Sequence, residues 1–250
     1  MITVDTVREA IEEKELFLEY MPTVRLRDGV CAGAEALTRW RRTDGRLVPP
    51  SEFIPIVERT PVAGLLTYWV LETVAGELGD WLLRTEDAHV AINTPPELIG
   101  RGGMEYAGCR VGLAAVADKL VLEVTERGVP DEIALDAMIH RTGRRRLVRL
   151  ALDDVGVNDH WAALLQQAPF DIVKLDKSLV DRLEEGGQSS IPLIEQIVRM
   201  TRERGIEIIA EGIERPEQAA LLRELGIPLG QGWYFSKALR AGEFLAFAQG

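Results

Sequence analysis

A set of polar residues stands where short apolar runs end. Glu35 closes Ala32-Gly33-Ala34, Asn93 closes Val90-Ala91-Ile92, and Glu123 closes Leu120-Val121-Leu122. Asp153 and Asp154 follow Leu150-Ala151-Leu152, Lys174 follows Ile172-Val173, and Glu211 follows Ile208-Ile209-Ala210. Any one acid at such a place reads most simply as a helix N-cap or a loop salt bridge, and Asn93 before Thr94-Pro95 is placed to cap a helix. The conjunction asks for more. Four or five carboxylates brought to one place repel each other and gain proton affinity unless cations compensate them. The simplest compensation is hard, oxygen-ligated Mg2+ or Mn2+. Zinc is a poorer match. His89 falls at a strand start, His140 in a helix and His160 in a loop, none with a ligand-like partner at short spacing.

The steps between these residues, from Glu35 to Glu211, are 58, 30, 30, 21 and 37 residues, so each arrives on a different element. β-rich runs at Leu16–Met21, Val30–Leu37, His89–Asn93, Leu120–Val124, Leu147–Leu152, Asp171–Leu175, Ile206–Ala210 and Gly230–Tyr234 predict strands. Helical spacing falls between them at Pro50–Glu58, Gly64–Leu83, Pro95–Leu98, Asp131–Arg141, Trp161–Gln166, Ile191–Arg204, Pro216–Leu225 and Gly242–Ala248. Eight such units average about 31 residues, the size expected of a (β/α)8 barrel, whose active sites lie at the C-terminal ends of the strands. A doubly wound open sheet is the rival, but no GxGxxG follows the first strand. Only Pro22 to Gly29 separates the first two strands, too short for a helical crossover and suited to a hairpin. The expectation is an α/β fold: a modified TIM (β/α)8 barrel with an antiparallel opening strand, one domain over residues 1–250 with its core at about 15–240. Gly100–Gly103 and Glu184–Ser190 read as surface loops, and Arg144–Arg146 as a solvated helix-to-strand turn.

Composition narrows the function. The 250 residues are 46% hydrophobic and 28% charged, ordinary globular material. A formal net charge of −11 argues against coating duplex DNA, where affinity comes largely from cations on phosphates. An acidic chain still binds a phosphorylated ligand if its carboxylates hold divalent metal first. Two cysteines, Cys31 and Cys109, without CxxC spacing argue against a disulfide framework or a zinc–thiolate site. No apolar run reaches the ~18 residues of a membrane span, and Met1 to Lys14 lacks a signal peptide's apolar stretch. A cytoplasmic protein without DNA or membrane partners is expected.

The same residues fall within longer motifs. Ala34-Glu35-Ala36-Leu37-Thr38-Arg39-Trp40, Asn93-Thr94, Leu122-Glu123-Val124-Thr125-Glu126, Asp153-Asp154, Pro169 through Asp176, Ala210-Glu211-Gly212-Ile213-Glu214 and Gln231 through Ser236 follow in order. Together they resemble the EAL-domain family of cyclic di-GMP phosphodiesterases, from about Leu16 to about Leu239. The resemblance implies a barrel enzyme that opens cyclic di-GMP to linear pGpG with two Mg2+ or Mn2+ ions. It implies Glu35, Asn93, Glu123 and Asp153 on one metal, with Asp153 bridging to a second supported by Asp154. Lys174 would orient or polarise the attacking water, and Glu211 would be a general base or water-anchoring carboxylate. Arg39, with Leu37, would meet the substrate, and Gln231 would support the site. Glu126 would brace the loop after Asp153-Asp154, and Glu214 would be an acid standing behind the site. A homodimer is the partner it suggests; the sequence leaves open whether the chain acts alone, takes its signal from a separate sensor or regulatory protein, or is part of a longer protein.

Departures keep a second reading open, a cyclic di-GMP receptor or interaction module that hardly hydrolyses. After Asp153-Asp154 the family usually reads Phe-Gly-Thr-Gly-Tyr-Ser-Ser, where this chain has Val155-Gly156-Val157-Asn158-Asp159-His160-Trp161. Met21 stands before Pro22 where glutamine is typical, and its thioether lacks the amide's hydrogen bonds. Ala238 replaces a common proline. A barrel hydrolase for another phosphorylated substrate is a third reading.

Overall fold

In the computed structural model, residues 1–125, 131–140, 148–157, 160–183 and 190–250 are described. Strand β1 (Leu16–Arg25) turns at Asp28-Gly29 into β2 (Cys31–Arg41), and the two pair antiparallel, Met21 opposite Glu35. The turn is built for this. Asp28 accepts from the Val30 amide at 3.2 Å, and Gly29 adopts the left-handed φ of 74°. A two-residue strand, β3 (Leu47–Val48), extends the far end of β2. From there the chain alternates. Strands β4 (His89–Asn93), β5 (Leu120–Thr125), β6 (Arg149–Val155), β7 (Ile172–Leu175) and β8 (Glu207–Ala210) run parallel to β2, and β9 (Leu229–Gly230) closes onto β1. Eight strands thus form a closed mixed barrel in the order β1-β9-β8-β7-β6-β5-β4-β2, with β3 outside it. The predicted modified TIM barrel with an antiparallel opening strand is observed.

Helices cover the outside. Helices α1 (Val4–Glu12), α2 (Pro50–Val57) and the start of α3 (Pro61–Arg84) pack with Leu16, Trp40 and Val48 into one apolar cluster. The rest of α3, with α4 (Gly103–Arg110), a 3-10 segment at Leu113–Lys119 and, at the chain's end, α10 (Ala241–Phe247), covers β1, β2 and β4. A short 3-10 turn, Pro96–Leu98, follows β4. The largest cluster seats α5 (Glu132–His140), α6 (His160–Gln167), α7 (Lys177–Asp181), α8 (Ile191–Arg204) and α9 (Pro216–Glu224) on β5 to β8.

Four expectations change. Glu35 does not close its strand, which continues six residues to Arg41, because Trp40 is buried and pairs with Val48. The last strand stops at Gly230, since Gly232 turns the chain hard against Ile213. His160 opens a helix rather than lying in a loop. Three helices are additional to those expected. α1 carries a short apolar stripe of Val4, Val7, Ala10 and Ile11 among charged residues and is capped by Thr3 and Thr6. α4 begins at Gly103 in the expected surface loop, and α7 is a single capped turn. Arg144–Arg146 and most of Glu184–Ser190 lie outside the described residues.

The barrel lumen is layered by strand alternation. Ala91, Val121, Ala151, Ile172, Ile209 and Leu229 form a small apolar plug of their own. Two residues further along each of these chains come Asn93, Glu123, Asp153, Lys174, Glu211 and Gln231. The period of two therefore carries every one of these polar side chains to the same end of the lumen, above the plug. Below it, at the strand starts, lie buried His89 and the Arg149–Glu207 ion pair at 2.6 Å.

Candidate active site

Lys174 is the hub. Its ammonium, 1% exposed, lies 2.7 Å from Glu123 Oε1, 2.7 Å from Glu211 Oε1, 3.1 Å from Glu35 Oε2 and 3.4 Å from Asp153 Oδ1. β7 delivers it through the buried pair Ile172-Val173, in register with Ile209 on β8. Desolvation disfavours its charge, but the four surrounding acids outweigh that and hold it firmly protonated.

The acids divide by their hydrogen bonds. Glu35 is well served: Oε1 accepts from Asn93 Nδ2 at 3.0 Å, and Oε2 accepts from Lys174 at 3.1 Å and Gln231 Nε2 at 2.8 Å. Burial alone would raise its pKa; Lys174 and these donors reverse that and lower it. Glu123 is the opposite case. Neither of its buried oxygens accepts a well-directed hydrogen bond, and the close Lys174 ammonium lies off its hydrogen-bonding directions. Burial, then the charge of Glu35, pushes its pKa well up. Burial also raises Asp153, and lifts Glu211 to about 8 despite the pull of Lys174.

Two adjacent acids reach the mouth because β6 is irregular. Its register against β7 shifts between Leu152 and Val155, and Asp154 takes a left-handed φ of 58° that few non-glycine residues adopt. The Asp154 amide donates to Asp153 Oδ1 at 2.9 Å. Gln231, just past β9, completes the ring, with Nε2 donating to Glu35 and, at 3.0 Å, to Glu211.

The structure thus brings together Glu35, Asn93, Glu123, Asp153, Lys174, Glu211 and Gln231. Arg39 and Leu37 lie further along β2 on the Glu35 face, where Arg39 Nε donates to Glu19 Oε2 at 2.8 Å. Glu214 stands apart, half exposed, accepting from Lys177 at 2.8 Å. Glu126 lies outside the described residues, as do residues 158–159 of the Val155–Trp161 loop. Sequence reasoning missed Thr23 and Glu19; a hydroxyl inside an apolar strand was the available signal for the first.

A divalent cation fits these side chains. A lysine has three protons to give, and four carboxylates compete for them. Glu123 is left with a buried Oε2 that has no donor and an Oε1 that meets only the shared ammonium. The donor set is all oxygen, as hard cations require. Among the described residues no three His, Cys, Asp or Glu side chains stand in a ready ligand arrangement, because the ammonium occupies their point of convergence.

Residues 4–238 match the EAL domain, and the chain belongs to that family. It is 34% identical over 245 residues to the probable cyclic di-GMP phosphodiesterase PdeB of Escherichia coli K12, covering 97% of this chain and 46% of that protein. It is 32% identical over 240 residues to the cyclic di-GMP phosphodiesterase NbdA of Pseudomonas aeruginosa, covering 94% of this chain and 30% of that one. The chain therefore spans less than half the length of these relatives. Among solved structures, the EAL enzyme Bd1971 in a cAMP-bound form superposes with a TM-score of 0.84 at 29% identity, over 98% of this chain and 69% of that one. The phosphodiesterase PaMucR in complex with c-di-GMP gives 0.82 at 26% identity, over 96% and 98%.

Proposed function

We propose that this chain hydrolyses cyclic di-GMP to linear pGpG with the help of two divalent ions, Mg2+ or Mn2+. The observation that carries it is the buried surplus of acids around Lys174, with Glu123 Oε2 lacking any donor and its Oε1 meeting only the shared ammonium. Similarity to proteins named probable cyclic di-GMP phosphodiesterase PdeB and cyclic di-GMP phosphodiesterase NbdA supports the substrate.

Glu35, Asn93, Glu123 and Asp153 would hold one ion, with Asp153 and Asp154 serving a second. Bound there, the ions supply Lewis acidity and a hydroxide source at neutral pH. The side chains do the rest. Lys174 is a fixed positive charge beside the place where the water oxygen becomes negative. Glu211, whose Oε1 lies 2.7 Å from the Lys174 ammonium, would take the proton from that water. The water oxygen bonds to phosphorus as the bond to the 3′-oxygen breaks, and that oxygen takes up a proton from solvent. Gln231 holds Glu35 and Glu211 in place through its amide. Arg39 offers its fork to a phosphate, and Leu37 lends an apolar contact beside it.

The test is incubation with cyclic di-GMP and Mg2+ or Mn2+, followed by chromatography for pGpG. Product is expected from the parent protein and none from Glu35→Ala, which removes the acid that Asn93, Lys174 and Gln231 all engage. Unchanged turnover in that variant refutes the role. One observation favours the receptor reading: Met21, facing Glu35 across the β1–β2 pair, has no amide to offer a ligand. Tight binding without pGpG would select it.

A further inference from the structure

One polar contact of the site comes from a residue on the antiparallel strand. Thr23 lies on β1, opposite Gly33 and on the face that Met21 and Glu35 share. It is 1% exposed, and its Oγ1 donates to Gln231 Oε1 at 3.2 Å. The other end of the same amide donates to Glu35 Oε2 at 2.8 Å and Glu211 Oε1 at 3.0 Å. A chain of hydrogen bonds therefore runs from the Thr23 hydroxyl through Gln231 to two of the four acids around Lys174.

We infer that Thr23 is a positioning residue for the proposed hydrolysis, setting the Glu35 and Glu211 carboxylates through the Gln231 amide. The inference rests on that reading. The backbone around Gln231 has little freedom. Its N–H donates to Ala210 O at 2.8 Å, its carbonyl accepts from Ile213 N at 3.1 Å, and a side chain at Gly232 would meet the Ile213 backbone at 2.2 Å. With the main chain fixed, the remaining choice is which end of the amide faces the acids. A carbonyl turned toward two carboxylates would meet lone pairs with lone pairs. A hydroxyl donor behind the amide ties down the carbonyl and leaves the NH2 group forward. The acids favour the same orientation while their oxygens are spare. Thr23 maintains it once those oxygens are engaged elsewhere. Removing only the hydroxyl leaves a buried amide oxygen without its donor and a carboxylate pair without a fixed partner.

The experiment compares Thr23→Val, which keeps the shape and removes the hydroxyl, with Thr23→Ser, which keeps the hydroxyl and loses the methyl. Mn2+ uptake is read by electron paramagnetic resonance, independently of turnover, and kcat and KM for cyclic di-GMP are read separately. Thr23→Val is expected to weaken Mn2+ uptake and lower kcat by about tenfold, as loss of supporting partners behind metal ligands does, with KM within about twofold. Thr23→Ser is expected to recover most of both. In a Gln231→Leu background the Thr23→Val change should add nothing. If Val does not fold, Thr23→Ala, which cannot overfill the site, takes its place against Ser. Val matching the parent in Mn2+ uptake and kcat, or Ser as impaired as Val, overturns the inference. A parent that takes up Mn2+ with a Val–Ser split yet makes no pGpG sinks the hydrolysis but keeps the positioning of the acids. A parent that neither takes up Mn2+ nor makes pGpG overturns both.

Discussion

Lys174 and Glu123 lie 2.7 Å apart, each 1% exposed, and yet Glu123 accepts no well-directed hydrogen bond from it or from any other described residue. One ammonium is shared among four acids, so it balances their charge without saturating their oxygens. The arrangement is stable only as a set. Removing the lysine leaves buried acids facing each other.

Lys174→Met is therefore expected to destabilise the metal-free protein by about 3–5 kcal/mol, the cost of breaking a buried ion pair from one side. Added Mn2+ should recover a larger part of the melting temperature in this variant than in the parent, because a cation replaces the missing charge. Thermal melts with and without Mn2+ measure both. A variant as stable as the parent without metal contradicts the account of the hub.

His89 predicts how the fold responds to acid. Burial, then the charges of Arg149 and Lys174, lowers its pKa to about 3, so the folded chain keeps the ring neutral. As pH falls below about 6.5, the unfolded chain takes up a proton that the folded chain refuses until about pH 3. The contribution is complete above that window and is lost through it at about 1.4 kcal/mol per pH unit, or about 2 kcal/mol between pH 7 and 5. Urea unfolding at the two pH values, compared with His89→Gln, isolates the term. Equal pH slopes in the two proteins would refute it.

Arg39 tests the substrate side of the site. Its guanidinium is oriented by Glu19, whose carboxylate accepts from Nε at 2.8 Å, and by the Thr38 carbonyl, which accepts from Nη1 at 3.3 Å. Arg39→Lys keeps the charge but loses the planar fork. Losing one charge-assisted hydrogen bond of about 1.5 kcal/mol corresponds to about a tenfold rise in KM, with kcat little changed. A fall in kcat at constant KM would move Arg39 from binding to the chemical step.

Much of the architecture was legible in the chain. The run His89–Asn93 is a strand with those same bounds, and Ile191–Arg204 is a helix with those same bounds. Both are strongly patterned and flanked by breaks. Where the pattern weakens, so did the reading. The β2 strand runs past Glu35 on alternation that includes Thr38 and Arg39, and the apolar stripe of α1 (Val4, Val7, Ala10 and Ile11) lies in a helix of only nine residues and is interrupted by charges. The site was legible as a group because a period of two, repeated on each strand above Ala91, Val121, Ala151, Ile172 and Ile209, leaves its mark in linear order. Glu214, next to the motif in sequence, turned outward to Lys177 instead.

Linear order alone settled which residue types sit above the plug, since alternation and strand length are local properties of the backbone. Only closure of the barrel decided who touches whom. Thr23 and Gln231 are 208 residues apart, and Glu35 and Lys174 are 139 apart. Their contact depends on β1 and β2 sealing the ring, and so does the ratio of one ammonium to four acids. Charge balance in a buried volume is a property of distances, and distances of that kind exist only once the chain has folded.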